Sequence, residues 1–166
     1  MARRRKRLEL ASIKGRIAEA LVESIFRRAL YRMTRFGKES APDFLALKQG
    51  LAGREAPGVY RTFMIEVKYR SDPARYLALQ QRQGAKSLLA KSRAKWPNLY
   101  VIFVTDRPEV GRSCFQALDA ASYEPGEPVN TQPLYEIEAL EIFPNNVMEH
   151  EALARQLFGL LSSFAQ

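Results

Sequence analysis

The sequence predicts an α/β fold in which a mixed β-sheet is flanked by helices, and three observations support this prediction. Residues 12–31 carry an apolar residue at every fourth position, the spacing of a helix that packs on one side. Residues 61–70 alternate apolar and polar side chains, which is the period of a strand. Residues 99–105 (LYVIFVT) form a continuous apolar run, typical of a strand that is covered on both faces. Helices on both faces of one sheet accommodate all three segments.

The first third of the chain predicts a helix followed by strands. The helical stripe consists of Ile13, Ile17, Leu21, Ile25 and Ala29, with Ala18 and Val22 beside it. Residues 31–36 offer one short strand, and residues 42–47 predict another, entered through a proline where the missing N–H costs least. Residues 48–60 are rich in Gly and Pro, which indicates a hairpin loop leading into the alternating strand.

A helix is expected between the two most apolar strands. Asp72 is a good N-cap and Pro73 fits the first turn of a helix, and the pattern continues to about Lys95. A helix that joins two strands of one sheet in this way is a right-handed crossover, which makes the two strands parallel. The predicted sheet therefore contains both a hairpin and a parallel pair, so it is mixed.

The last third of the chain predicts two further strands and a final helix. Residues 114–118 form a short apolar segment, and residues 134–143 alternate as a strand does. Residues 147–164 have helical spacing, with one apolar side that is assigned to the core, or to a dimer face if it is wider than the core needs. That side consists of Leu153, Leu157, Leu160, Leu161 and Phe164.

Composition limits the classes of protein to consider. The chain has 166 residues, enough for one domain with a full core, and no apolar run as long as a membrane span. Its one cysteine, Cys114, excludes an internal disulfide framework and fits a reducing interior. Its one histidine, His150, argues against a zinc site of the usual kind. We therefore expect a cytoplasmic protein, associated with the nucleoid if the source is bacterial or archaeal.

The charge of the chain favours a polyanionic partner. There are 26 Lys and Arg against 18 Asp and Glu, which gives a net charge of +8. Much of the excess lies in residues 1–11, which we expect to be a flexible basic segment preceding one domain at residues 12–166. Nucleic acid is preferred over a membrane surface because no membrane-lying helix stands out. A solubilising or targeting tail is the alternative explanation for the basic segment.

Three residues on the two central strands suggest a chemical site. Glu66 and Lys68 are two residues apart on a strand, so they share one face. If the preceding strand is a neighbour, Asp43 at its start can join them. Two carboxylates suit Mg²⁺, and a lysine can orient water or neutralise charge on a phosphoryl oxygen. The alternative is an ordinary Pro-Asp turn and a cross-strand ion pair on a solvated face.

The first helix offers a further carboxylate. At about 100° per residue, Glu19 lies beside Phe26 at the margin of the buried stripe. Glu23 lies further toward solvent, among Arg16 and Arg27. Since a marginal glutamate can reach across to the sheet, we choose Glu19.

Together these segments carry a family resemblance. The line 14-KGRIAEALV-22, then 42-PD-43, then 66-EVK-68 resembles the PD-(D/E)xK nuclease superfamily. The opening Lys-Gly pair and the interval from Glu19 to Asp43 resemble archaeal-type Holliday junction resolvases in particular. The loop between the two strands is longer than in a compact resolvase, and the chain after residue 105 shows no resolvase feature.

The resemblance, which covers residues 14–105, implies a restriction-endonuclease-like fold and a set of catalytic residues. It implies that Mg²⁺, or Mn²⁺ in its place, is bound by Asp43 and Glu66. Glu19 would bind the metal directly or through water, and the Val67 carbonyl is a further ligand in the expected mechanism. Lys68 would serve the attacking water.

The expected function is Mg²⁺-dependent endonucleolytic hydrolysis of DNA phosphodiester bonds. Branched DNA, as for a junction resolvase, is the leading substrate, followed by the substrates of restriction-like, repair or mobile-element nucleases. A homodimer would suit a two-fold junction. The basic residues expected along the flanking phosphates are Arg16, Arg27, Arg28 and Arg70. The alternatives are a non-catalytic nucleic-acid-binding domain of the same fold and an RNA nuclease.

Overall fold

A computed structural model describes residues 1–37, 41–49, 60–109 and 111–164 of the chain. The described residues contain four α-helices and six β-strands, together with short 3₁₀ turns. The elements are, in chain order, α1 (Ala2–Arg28), β1 (Arg32–Arg35), β2 (Phe44–Gln49), β3 (Tyr60–Tyr69), α2 (Pro73–Gln83), α3 (Leu88–Lys95), β4 (Leu99–Val104), β5 (Phe115–Asp119), β6 (Gln132–Pro133) and α4 (Pro144–Ser163). Most of the predicted hairpin loop at 48–60 lies outside the described residues.

The strands form one mixed sheet in which they follow the order of the chain. Neighbouring strands are antiparallel except β3 and β4, which are parallel and joined through α2 and α3. The predicted crossover and the predicted α/β class are therefore confirmed. Within the described ranges, no helix combines the length and the hydropathy that crossing a bilayer requires.

The two faces of the sheet are covered by different helices. On one face α1 and α4 pack against a cluster that includes Ile65 and Phe158. On the other face α2 and α3 pack against a cluster that includes Leu77 and Phe103. Every residue of β4 is buried, as its continuous apolar run predicts. Because side chains alternate along β3, Ile65 points to the α1 face and Glu66 to the α2 face.

Helix α1 begins ten residues earlier than predicted, at Ala2 instead of Ser12. Residues 2–11 contain no Gly or Pro and are rich in Arg, Lys, Leu and Ala, which all favour the helix, so nothing local stops it. The buried residues of α1 start only at Ala18. Ile13, which was assigned to the buried stripe, is accordingly exposed. The flexibility expected of residues 1–11 stays a prediction.

The crossover contains two helices where one was predicted. Asp72 caps α2 as expected, its side chain accepting a 3.0 Å hydrogen bond from the Arg75 N–H. The helix then ends at Gly84, whose φ of 57° lies in the left-handed region that favours glycine. A 3₁₀ turn follows, and the Ser87 hydroxyl accepts a hydrogen bond from Ala90 N–H to begin α3.

The predicted strand at 134–143 is wrong. This segment forms two 3₁₀ turns, Leu134–Glu136 and Glu138–Leu140, and the edge strand β6 precedes it. Leu134 and Leu140 are buried and Ile137 is partly buried. Their spacing of three residues is the period of a 3₁₀ helix, which an alternating pattern partly mimics.

Helix α4 buries only part of the predicted side, since Leu161 packs against the core and Leu157 is partly buried. Leu153, Leu160 and Phe164 are 41%, 56% and 62% exposed. The buried side consists of Val147, His150, Ala154 and Phe158. His150 Nε2 lies 2.9 Å from the Ser24 hydroxyl of α1, so a polar contact joins the buried side of α4 to α1.

Candidate active site

Asp43 lies directly beside the central part of β3. The register of β2 and β3 pairs Phe44 with Ile65, so one further step places Asp43 opposite Glu66. The Asp43 carboxylate accepts a 2.7 Å hydrogen bond from the Val67 N–H through Oδ2. This bond holds the start of β2 against the Glu66-Val67-Lys68 segment.

Three carboxylates act on one another at this position. The pKa of Asp43 is raised from 3.8 to about 6, mainly by burial and further by the Glu19 and Glu66 carboxylates. The hydrogen bond from Val67 opposes this shift by stabilising the charged form. Helix α1 and strand β3 therefore both bring negative charge to Asp43.

Glu19 is held in place by an arginine of β1. Arg35 Nη1 lies 2.6 Å from the Glu19 carboxylate, and its guanidinium lies over the Phe44 ring at 4.7 Å. Glu23, one turn further along α1, is bound by Arg27 at 3.0 Å and approached by Arg35 at 3.6 Å. Of the two glutamates, Glu19 is the one whose carboxylate contributes to the raised pKa of Asp43.

Glu66 and Lys68 form an ion pair on the α2 face of the sheet. Lys68 Nζ lies 3.5 Å from the Glu66 carboxylate, and the two side chains are 22% and 28% exposed. The Lys68 ammonium also lies 5.8 Å from the centre of the Tyr76 ring of α2. Pairing and partial burial keep the lysine close to the acidic cluster.

A lysine of α1 fixes the helix that carries Glu19. Lys14 Nζ donates hydrogen bonds to the Tyr69 hydroxyl at 3.3 Å and to the Ser162 hydroxyl at 3.2 Å. The Tyr69 hydroxyl in turn donates to Asp106 at 2.8 Å. These bonds tie α1 to β3 and α4 and so help to set the position of Glu19.

The four arginines expected along the phosphates are placed differently from one another. Arg16 is exposed on α1. Arg27 is paired with Glu23, and Arg28 is paired with an acidic residue of α4. Arg70 lies over the Tyr76 ring at 4.7 Å, the same ring that Lys68 approaches. The structure therefore brings Arg70 close to the cluster and gives Arg27 and Arg28 partners within the protein.

Two residues of the cluster were missed in the sequence analysis. Arg35 is paired with Phe44 in the β1–β2 register, next to Asp43. Pairing the predicted strand at 31–36 with the strand at 42–47 would have placed Arg35 there. Tyr76 lies one turn into α2, and its position on the crossover helix facing β3 was the available signal. Neither residue belongs to a recognisable motif.

A cavity of about 450 Å³ lies beyond the carboxyl ends of β3 and β4, and none of the cluster residues named above lines it. The start of α2 lines it together with Thr105 and Gln116, which are buried, and with Arg107 and Arg112, which are exposed. Crevices at the carboxyl ends of parallel strands are common ligand sites in α/β proteins. This cavity was not predicted from the sequence.

The donor set of the cluster fits a divalent cation in its chemistry, because carboxylate and carbonyl oxygens are the ligands that Mg²⁺ takes. Among the residues that the structure describes, no three His, Cys, Asp or Glu side chains are arranged to hold an ion as they stand. Two of the carboxylates have basic partners instead, since Arg35 binds Glu19 and Lys68 binds Glu66. In the comparisons with known proteins, no family model, curated protein or solved structure matches the chain.

Proposed function

We propose that the protein is a Mg²⁺-dependent DNA endonuclease of the PD-(D/E)xK type, with a restriction-endonuclease-like fold. The observation that carries this proposal is the setting of Asp43. Its carboxyl group is held by the Val67 N–H, and burial and the Glu19 and Glu66 carboxylates raise its pKa to about 6. A divalent cation would relieve that repulsion, and the same residues appear in the family motif.

Asp43 and Glu66 would hold the metal, with Glu19 binding directly or through water and the Val67 carbonyl as a further ligand. When bound, a divalent metal polarises the scissile phosphate and promotes ionisation of a bound water. Lys68 orients the attacking water and neutralises charge that builds on the phosphoryl oxygens. The Tyr76 ring and the Glu66 carboxylate hold the Lys68 ammonium in position for this task.

Branched DNA is the substrate that we propose, cut by a homodimer. A two-fold junction presents two equivalent cutting sites, which suits two copies related by a two-fold axis. The exposed side of α4 supports this assembly. Leu153, Leu160 and Phe164 follow one another at seven and four residues, so they lie along one side of the helix and remain available for a second copy.

A second candidate is a nucleic-acid-binding domain without catalysis. One observation favours it: the carboxylates of Glu19 and Glu66 are already paired with Arg35 and Lys68. In that case the acidic cluster would serve only to link the strands and α1. Binding of nucleic acid without metal-dependent cutting would identify this candidate.

The decisive experiment compares Lys68→Ala with wild type on plasmid, linear duplex, four-way junction and matched RNA, each with Mg²⁺ and with EDTA. Wild type should cut DNA only with Mg²⁺, and the variant should lose about 100-fold or more of the rate while binding is retained. Lys91→Ala, at an exposed position of α3, is the matched control and should cut as wild type does.

Unchanged cutting by Lys68→Ala would remove the catalytic assignment. Binding by wild type without any cutting would favour the second candidate. Preferential cutting of RNA would identify the protein as an RNA nuclease, since hydrolysis of RNA uses the same phosphodiester chemistry.

A further inference from the structure

The first turns of α1 carry a run of exposed basic residues outside the core. Burial along α1 starts at Ala18, so the first turns of the helix have no part in either hydrophobic cluster. Arg5 pairs with Glu9 at 3.2 Å, and both side chains remain well exposed. We name this segment the basic arm, which consists of Arg3, Arg4, Arg5, Lys6 and Arg7.

The distance from the basic arm to the candidate active site is set by the geometry of one continuous helix. An α-helix rises about 1.5 Å per residue, so Arg7 lies about 18 Å and Arg3 about 24 Å along the axis from Glu19. B-form DNA rises about 3.4 Å per base pair. The distance from Glu19 to the basic arm along the helix axis therefore equals the length of about five to seven base pairs of duplex.

The side of α1 that carries Glu19 leads directly to the basic arm. At about 100° per residue, Arg4 and Arg5 lie within about 60° of Glu19 around the helix. Between them on that side lie Leu8, which is exposed, and the small residues Ser12 and Gly15. A Cβ added to Gly15 would meet nothing within 4 Å, so no described part of the chain covers the helix at that residue. A rod-like polyanion can follow this side from Glu19 to the arm.

The charges of the basic arm call for an anionic partner. Arg3 and Arg7 are four residues apart, so they lie next to each other on successive turns of the helix. Like charges at this spacing repel each other. Phosphates would relieve that repulsion and release their own counterions. A membrane surface fits less well, because a membrane-lying helix needs an apolar side, whereas residues 3–7 are all basic and the exposed Leu8 and Ile13 lie about 140° apart around the helix.

We propose that the basic arm binds the backbone of duplex DNA about five to seven base pairs from the scissile phosphate, so that efficient cutting requires a duplex flank of that length on one side. This inference rests on the proposed nuclease function. In this role the arm makes the rate of cutting depend on the length of the duplex flank. A tail that only keeps the protein in solution would give no such dependence.

The test uses the full chain and DNA substrates whose duplex flank is varied from 3 to 12 base pairs, on each side of the cut in turn. The arm variant is Arg3→Gln/Arg4→Gln/Arg7→Gln, which leaves the Arg5–Glu9 pair intact. The control variant, Arg82→Gln/Lys86→Gln/Lys91→Gln, removes three exposed charges from the α2–α3 region. Circular dichroism verifies that both variants are folded.

Cutting by wild type and by the control should rise about tenfold between four and eight base pairs on one side, because the arm then gains phosphate contacts. The arm variant should show no such step. The inference is overturned if wild type cuts short and long flanks equally, or if the arm variant keeps the step.

Binding in EDTA gives an independent readout. Affinity of wild type should show the same dependence on flank length, and the salt dependence of log K should be weaker in the arm variant by about 2 to 3, since about 0.9 is lost per phosphate contact. A chain that cuts nothing but shows this length and salt dependence would contradict the proposed function and support the arm. Equal salt slopes in the arm and control variants would contradict the arm.

Discussion

The carboxylate of Asp43 and the backbone N–H of Val67 are joined by a 2.7 Å hydrogen bond. This contact aligns the residue before β2 with the strand that carries Glu66 and Lys68. It also holds the Asp43 carboxylate close to the other carboxylates of the cluster. Such an arrangement is costly for a carboxylate without a cation, because burial and repulsion both favour the protonated form.

Asp43→Asn should abolish the response of the protein to Mg²⁺. The amide can still accept the Val67 hydrogen bond, but it is a weaker ligand and carries no charge. We expect metal-dependent cutting to fall by about 100-fold or more and the Mg²⁺-induced rise in Tm to disappear. Glu138→Gln, at an exposed position, is the control and should respond as wild type does. A variant that keeps the Mg²⁺ shift would contradict the assignment of Asp43 as a ligand.

The same substitution should stabilise the metal-free protein in a pH-dependent way. The pKa of Asp43 rises from 3.8 to about 6 on folding, so its contribution to stability is fully present below pH 3.8 and is lost as pH rises through 6. The amide in Asp43→Asn does not titrate, so the variant does not lose this contribution to stability as the pH rises. In EDTA at pH 7 the variant should be more stable by about 1–2 kcal/mol, a value reduced for partial exposure.

Urea unfolding of wild type and Asp43→Asn from pH 4 to pH 8 measures this difference. The gap in the free energy of unfolding should be small near pH 4 and reach its full size above pH 6. A variant that is less stable than wild type at pH 7 in EDTA would show that the carboxylates do not repel one another as described.

Arg35→Ala should increase the affinity for a divalent cation. Arg35 neutralises Glu19 across 2.6 Å, so its removal leaves the repulsion between Glu19 and Asp43 without compensation. We expect the metal-free protein to lose about 0.5–1 kcal/mol of stability, and the Mg²⁺-induced shift in Tm to grow. Arg32→Ala, on the same strand and stacked on Tyr60, is the control. A smaller Mg²⁺ shift in Arg35→Ala would argue against a role of Glu19 near the metal.

Tyr76 substitutions test whether its ring positions Lys68. The ring approaches Lys68 at 5.8 Å and Arg70 at 4.7 Å, while packing against Phe103 at 5.7 Å. Tyr76→Phe keeps an aromatic face and should retain cutting, whereas Tyr76→Leu should lower the rate at which bound DNA is cut by about two- to fivefold. Rates are measured in single turnover with bound DNA. Equal rates in both variants would show that the ring only packs.

Leu160→Glu tests the dimer. Leu160 is 56% exposed on the side of α4 that carries Leu153 and Phe164, so a charge there would oppose burial against a second copy. Sedimentation equilibrium should find wild type dimeric at micromolar concentration and the variant monomeric. Gln156→Glu, also exposed on α4, is the control for added charge. A wild type that is monomeric at every concentration would remove the dimer from the proposal.

Several elements were predicted because their signals are local. Asp72 caps α2 through a bond to a residue three positions away, and the alternation of β3 depends on neighbouring residues. Other predictions failed where two patterns overlap. Residues 134–143 alternate in part as a strand does, but Leu134, Ile137 and Leu140 recur every three residues, which is the period of the 3₁₀ turns that the chain forms there. The predicted start of α1 was too late, because no residue between Ala2 and Ser12 stops the helix.

For the candidate site, the sequence by itself determined that Glu66 and Lys68 share a face, because strand side chains alternate regardless of what surrounds them. Only the tertiary structure decided that Asp43 binds the Val67 N–H, that Arg35 holds Glu19, and that α4 buries His150 rather than its leucines. The first contact depends on the register of β2 against β3, and the other two depend on how helices rotate by a few tens of degrees against a sheet. That rotation is set by packing between distant segments, which a local pattern does not contain.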